Sequence, residues 1–398
     1  MPTLEDLRRV IRRIEGSRPP RPAPAPVEDA LGGELVETDA GPVVIVRRAY
    51  PLDYAHGRLP LDAALTAPIA LLARLARVEA APVALRDVLF VDTETTGLAG
   101  GTGTYAFLVG AGRFVGERFE VTQYFMRDLD EEPALLAALA PRIAEASGLV
   151  TFNGAAFDLP LLETRFVLAR RRWRTDVVHL DLLRPARRMW SAATDCRLAT
   201  LEREVLGVRR SDDVPGSLIP TLYFDFLRTR RAAPLVRVLE HNRHDVLSLA
   251  ALVGWLGAAL EARLALGAAE IAGLGRLWEP VDAQRALACY RQALAAGLDG
   301  RLAQWARLRL AWWEKRAQRW EIACELWRAA ARVDALDARP WEELAKFHEH
   351  RRRDFVAARE VVRTALELAA GRLSARVADG FAHRLRRLER RLAAPVGQ

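Results

Sequence analysis

Residues 85–97 read LRDVLFVDTETTG, and the pattern of the chain changes there. The apolar run Val88–Val91 is short and rich in β-branched and aromatic side chains, which predicts a buried strand ending abruptly in a polar segment. Side chains alternate along a strand, so Asp92 and Glu94 present two carboxylates on one side of its carboxyl end. Such a pair binds hard cations well. An Asp-x-Glu is equally at home on a solvated strand end, so it decides nothing alone.

Outward from this strand, strand candidates follow at Tyr105–Gly110 and Phe119–Met126, separated by glycine-containing turns. Helical spacing then runs from Pro133 to Ser147, SGLVTFN (147–153) reads as another buried strand, Leu159–Arg172 as a helix and DVVHLDLL (176–183) as a fifth strand. This alternation predicts an α/β domain over residues 83–262, closed by the run Ala233–Leu260. Residues 1–32 read as a basic amphipathic helix followed by the proline-rich linker SRPPRPAPAP. Residues 33–82 form a small extension with a candidate hairpin, ELVETDAGPVVIVRRAY (34–50), and a candidate helix, Leu61–Leu75. Tyr54 and His56 in it have no assigned chemistry, and a satisfied structural histidine is the simpler reading.

Residues 263–398 carry no strand signal. Ala286, Tyr290 and Ala293 recur as Ala323, Trp327 and Ala330, then as Ala358, Val362 and Ala365, at intervals of 37 and 35 residues. Intervals near the roughly 34 residues of a tetratricopeptide unit suggest stacked helical hairpins, with an ordinary helical bundle as the alternative.

With 398 residues, 51% of them hydrophobic, the chain can bury two or three cores, which excludes a disordered tail or a peptide hormone. Lys and Arg outnumber Asp and Glu by 59 to 51, for a net charge of +8, so a polyanionic partner is plausible. Only Lys315 and Lys346 are lysines; the arginines are either compositional bias or bidentate phosphate grips. Cys196, Cys289 and Cys324 lie far apart without metal-ligand spacing, which fits a reducing cytoplasm. The first residues lack an apolar signal core, and the longest apolar stretch, Val246–Leu260, is too short to span a bilayer. A soluble cytoplasmic protein without a membrane partner is expected.

Two further segments match DTETTG in kind. In TFNGAAFD (151–158) a buried strand ends in a polar turn, and Asp158 opens a helix that it can cap. In EHNRHDVLSLAALV (240–253) helical geometry sets His241 and Asp245 one turn apart on one face, with His244 pointing roughly 100° away from Asp245. Asp245 heads an apolar stretch, so its carboxylate wants a cation or donors; a simple His241–Asp245 hydrogen bond on a solvated face is the plainer reading.

Together Asp92 and Glu94, Asp158, and Asp245 with His241 resemble the three motifs of the DEDD (DnaQ-like) 3′–5′ exonucleases. The likeness is strongest to the YprB-type branch, through GTYAFLVG (103–110), TFNGAAFDLPLL, CRLATLEREVLGV (196–208), DDVPGSLIP (212–220) and HNRHDVLSLAAL. The resemblance implies an α/β RNase H-like domain, a mixed central sheet flanked by helices, followed by an all-α helical-repeat domain. It implies that Asp92, Glu94, Asp158 and Asp245 hold two Mg²⁺ or Mn²⁺ ions and that His241 is the general base. Family members with histidine place it five residues before the last aspartate, where this chain has Glu240. Those with tyrosine place it four before, where it has His241.

The same resemblance implies that Thr95, Thr96, Gly97 and Leu98 cradle the terminal nucleotide, with Asn153 and Phe157 lining the cleft, and that the substrate is a single-stranded or frayed nucleic-acid end. The span Arg165–Arg210, with Arg170, Arg171, Arg172, Arg174, Arg187 and Arg188 and the interleaved Trp173 and Trp190, reads either as a phosphate-tracking surface with stacking platforms or as a solvated face with core tryptophans. The competing function is a weakly active or inactive nucleic-acid-binding scaffold whose helical repeats recruit a protein partner.

Overall fold

The computed structural model describes residues 26–80, 84–97, 103–173, 177–191, 195–332, 337–368 and 374–393. The expected N-terminal helix, most of the proline-rich linker, Leu98 and Arg174 lie outside these. The chain forms two compact units. The first comprises the residues up to Tyr54, Arg86–Val177 and Arg210–Leu247; the second comprises Ala55–Leu85, Val178–Arg209 and the residues from Ser248 onward.

In the first unit, after a short helix α1 (Val27–Leu31), the strands are β1 (Glu34–Thr38), β2 (Gly41–Pro51), β3 (Val88–Thr95), β4 (Ala106–Val115), β5 (Arg118–Phe125) and β6 (Gly148–Thr151). They neighbour one another in the order β1-β2-β5-β4-β3-β6. The hairpin expected at 34–50 forms as β1 and β2, and β3, β4 and β5 make an antiparallel meander. Helix α2 (Glu132–Glu145) carries the chain across so that β6 joins β3 in parallel, Val88 opposite Gly148 and Phe90 opposite Val150. The sheet is therefore mixed. Helices α3 (Asp158–Leu168), α4 (Ile219–Thr229) and α5 (Leu235–Leu260, of which Leu235–Leu247 belongs to this unit) complete it.

Three strands share a row that sets the position of α5. Asp92 of β3 is paired with Gly110 of β4, and Gly110 with Gln123 of β5. The next row in this direction pairs Phe90 with Gly112. A β-carbon on Gly110 would sit 2.3 Å from Asn242 Oδ1, and one on Gly112 would sit 2.5 Å from Val246 Cγ1 and 2.6 Å from the Phe119 ring. The two glycines are thus the seats for two α5 side chains one helical turn apart. Four helical residues advance about 6 Å and two strand residues about 6.8 Å, so the knobs match the holes.

Some arginines and tryptophans of the Arg165–Arg210 span are core. Arg165 is buried, its Nε donating to Glu132 Oε1 at 2.5 Å and its guanidinium lying 3.9 Å from the Tyr105 ring centroid. Trp173 packs against Phe166 with centroids 5.2 Å apart. In the second unit Trp190 is buried against Trp255 at 5.1 Å, so of its two readings the core tryptophan holds, its large apolar surface removed from water.

The second unit also buries a polar trio. His56 Nε2 lies 2.7 Å from Ser248 Oγ, which in turn donates to Glu202. His56 is thereby satisfied structurally. The helix expected at Leu61–Leu75 is divided into a 3₁₀ turn, Leu61–Ala64, and a helix, Ile69–Leu75, with Pro68 between them. From Ala268 onward the unit is helical, with Ala268–Trp278 packed on Ala283–Ala295, Gly300–Arg316 on Trp320–Ala331, and Phe355–Leu368 on Ala375–Ala393. All nine residues of the three recurring triplets are buried. Gly275 shows why small residues are needed, since a β-carbon there would be 2.4 Å from the Tyr290 ring. Among the described residues no helix is long and apolar enough to cross a membrane.

Two glycines should respond oppositely to alanine. Gly112→Ala is expected to destabilise the fold by about 1–3 kcal/mol through overpacking. Gly380, exposed within Ala375–Ala393 with nothing within 4 Å of its missing β-carbon, should gain about 0.5–1 kcal/mol on the same change. Chemical denaturation measures both; a neutral Gly112→Ala would mean α5 does not sit on β4 this closely.

Candidate active site

The carboxyl end of β3 opens where its burial ends: Val88–Val91 are buried, Asp92–Thr95 only partly. The register pairs Asp92 with Gly110 and Glu94 with Leu108, which sets both acids on one face, as alternation requires. Asp158 comes to them from α3. Asn153 takes a left-handed conformation (φ 67°), and Gly154 leaves no room for a β-carbon, which would lie 2.3 Å from Thr151 Oγ1. This bend delivers Phe157 and Asp158 to the end of β3. Asp158 does not cap its helix; its Oδ1 accepts from the Thr93 amide at 3.1 Å and the Thr93 hydroxyl at 2.5 Å.

Helix α5 brings the third segment. Asn242 donates from Nδ2 to Asp92 Oδ2 (2.8 Å), and its Oδ1 accepts from Gln123 Nε2 (2.8 Å), which also donates to the Leu239 carbonyl (2.7 Å). One turn of helix then sets His241 Nε2 3.5 Å from Asp245 Oδ2 and 4.0 Å from Glu94 Oε1. Glu94, His241 and Asp245 each offer a ligand atom within 4.8 Å of the others. His241 Nδ1 lies 2.7 Å from Asp213 Oδ1, and Arg210 forms a close ion pair with Asp245.

Asp92 and Glu94 both feel the charges of Asp158 and Asp245. Burial, then the charges of Asp245, Glu94 and Asp158, push the Asp92 carboxyl well above its ordinary value against the opposing Asn242 hydrogen bond. Burial, then Asp245 and Asp158, do the same to Glu94, and Arg210 opposes. Asp213, despite its burial, is held below its ordinary value by His241 and Arg210. Burial, then Arg210 and Arg243, push His244 below its ordinary value, and it lies outside the ligand-range group.

A cavity of about 550 Å³ adjoins the cluster. Asp92, Thr93, Glu94, Thr95, Gly97, Asn153, Phe157 and Asp158 line it, and Phe157 stands 58% exposed, unusual for so large an apolar ring. Thr95 Oγ1 donates to the Gly97 carbonyl at 2.8 Å, closing the turn after Glu94. Thr96 is engaged elsewhere, its hydroxyl accepting from the Tyr105 amide at 3.0 Å.

Residues 89–257 match a family model described as RNase_H superfamily. YprB of Bacillus subtilis (strain 168), described as an uncharacterized protein, is 33% identical over 316 residues, which cover 77% of this chain and 76% of that protein. The chain belongs to the RNase H superfamily.

Four residues of this RNase H-like unit escaped the reading of the sequence: Asn242, Gln123, Arg210 and Asp213. Gly110 and Gly112, two apart in a strand, were the available signal for the first pair, because strand glycines mark a close approach. Arg210, at the end of the arginine-rich span, and Asp213, within DDVPGSLIP, stand in an irregular segment in which neither was singled out for a role.

Folding raises the proton affinity of Asp92 and Glu94, so their contribution to stability is intact below about pH 4, where even the unfolded carboxyls are protonated. It is lost as pH rises through the raised folded values. In EDTA, melting temperature should therefore fall with rising pH over this window. Asp92→Asn or Glu94→Gln should flatten that fall and raise Tm at pH 7 by roughly 2–4 °C per kcal/mol of repulsion removed. Thermal melts across pH 4–8 test this, and variants that melt lower than the parent in EDTA would contradict it.

Proposed function

We propose that this chain is a metal-dependent nuclease of the DEDD (DnaQ-like) type, removing nucleotides from the 3′ ends of single-stranded or frayed nucleic acid, with Asp92, Glu94, Asp158 and Asp245 as metal ligands. The observation that carries this reading is the meeting of four carboxylates and His241, from three separate segments, beside one cavity. The donor set fits hard divalent ions: its atoms are mainly carboxylate oxygens, and burial without a cation holds two of the carboxyls well above their ordinary range. Asp92, Glu94, Asp158 and Asp245 would hold Mg²⁺ or Mn²⁺, which would lower the pKa of the attacking water and stabilise charge on the leaving oxygen.

The protein's own groups have distinct tasks in this reading. His241 accepts the proton of the attacking water at Nε2, the ring nitrogen that faces Glu94 and Asp245. Asp213, at Nδ1, orients the imidazole. Asn242 and Thr93 hold the Asp92 and Asp158 carboxylates in fixed rotations. Phe157 offers an exposed ring on which a terminal base stacks, and Thr95, Gly97 and Asn153 line the pocket for its sugar and phosphate. Arg170 and Arg172, exposed, and Arg171, paired with Asp39, line a separate shallow groove suited to backbone phosphates.

The test is single-stranded DNA and RNA labelled at the 5′ or the 3′ end, incubated with Mn²⁺, with EDTA, and with the Asp92→Ala/Glu94→Ala variant. Expected are metal-dependent shortening from the 3′ terminus, its loss in the variant, and no cutting of circular single strands. Retained binding with no metal-dependent cleavage would favour the scaffold reading, and cut circles an endonuclease. Substrate affinity should also fall steeply between about 50 and 200 mM salt; indifference to salt would remove the arginines from the phosphate path.

A further inference from the structure

Arg210 brings a positive charge into the carboxylate cluster from a segment that none of the three motifs contains. Its side chain is only 7% exposed. One guanidinium nitrogen, Nη2, donates to Asp245 Oδ1; the other, Nη1, lies 3.2 Å from His241 Nδ1, 3.5 Å from the His241 carbonyl oxygen and 3.6 Å from Asp213 Oδ2. The fork therefore grips the Asp245 carboxylate and lies against the His241 ring, the two groups that, with Glu94, form the ligand-range group.

We propose that Arg210 is a tethered counter-ion that competes with the divalent cation for Asp245. The proposal rests on the metal-dependent reading above and concerns how that site is controlled. Three observations support it. A guanidinium stays charged at any working pH, so its charge leaves the cluster only if the side chain moves. A guanidinium and a divalent ion drawing on the same carboxylate repel each other at short range, so tight binding of one weakens the other. Residues 207–215, which carry Arg210, belong to no helix or strand, and Asp212 within them has φ 57°, so the segment can shift without breaking a helix or ladder. Arg210 is thus a positioning residue: it restrains Asp245 and His241, offsets the repulsion among the carboxylates, and sets the cation concentration at which the site fills.

The experiment compares full-length protein with Arg210→Gln and Arg210→Lys, by thermal melting in EDTA and by calorimetric titration with Mn²⁺ after the chelator is removed. A competitor gives opposite signs: Arg210→Gln melts lower in EDTA yet binds Mn²⁺ about tenfold tighter, the loss of one charge-assisted hydrogen bond to the rival cation. Arg210→Lys, which keeps the charge but not the fork, should bind Mn²⁺ with intermediate affinity. A residue that merely supports the fold would lower both quantities together. Arg210→Gln with unchanged or weaker Mn²⁺ binding overturns the proposal and leaves the nuclease reading standing. If Arg210→Gln does not fold without metal, the lysine variant decides, and a Kd no smaller than that of the parent overturns the proposal. A parent protein that binds no Mn²⁺ sinks the metal centre and this inference with it.

Discussion

The amide of Asn242 is the constraint on which the site depends. It lies over Gly110 of β4 and joins the two strands that flank β4, donating to Asp92 of β3 and accepting from Gln123 of β5. A buried primary amide with both ends engaged has one allowed rotation and one allowed depth, because misplacement leaves a polar group unpaired. The helix is therefore located by a polar contact, and Val246 over Gly112 supplies the apolar contact one turn later. Of the two, only the Asn242–Asp92 bond touches the cluster of negative charge, and together they set where His241 and Asp245 meet it.

What α5 carries to the site is unfavourable by itself. Burial, and then the charges of the neighbouring carboxylates, raise the proton affinity of Asp92 and Glu94. A fold selected for stability alone would replace such groups with apolar side chains. The molecule instead restrains them individually: Asp92 by Asn242, Asp158 by Thr93, Asp245 by Arg210. Each restraint comes from a different element, so relaxation at one carboxylate leaves the others held. Strain of this kind concentrates where rigid, poorly solvated charge is useful to chemistry.

The acids were legible because they break strong local patterns. Asp92 and Glu94 end an apolar strand at the alternation that sets them on one face. Asp245 interrupts an apolar helix, and its partner His241 stands at the helical spacing that produces their 3.5 Å approach. Asp158 was legible as a position but ambiguous in role, since an aspartate opening a helix is usually a cap; only the Thr93 contacts from across the sheet separate the two. Asn242 and Gln123 could not be read this way, because an amide between two strands has no periodicity. Arg210 was hidden by abundance in a chain whose cations are nearly all arginine. Trp190 stood open between a stacking platform among arginines and a core side chain, and its size and apolarity took it into a core.

The direction of α5 follows from the same contacts. Asn242 meets Gly110 and Val246 meets Gly112, so the helix runs the way β4 does and opposite to β3. Its polar stretch Glu240–Asp245 therefore meets the polar end of β3, and its apolar continuation from Val246 meets the half of the strand where Phe90 is buried. Adjacent helical residues are about 100° apart, so the stripe of His241 and Asp245 is turned from the docking stripe of Asn242 and Val246 by that angle, toward Glu94 rather than Gly110. A one-residue slip in α5 would carry His241 onto the glycine seat and remove it from Glu94. Docking and chemistry are two adjacent faces of one helix, and neither register can change without the other.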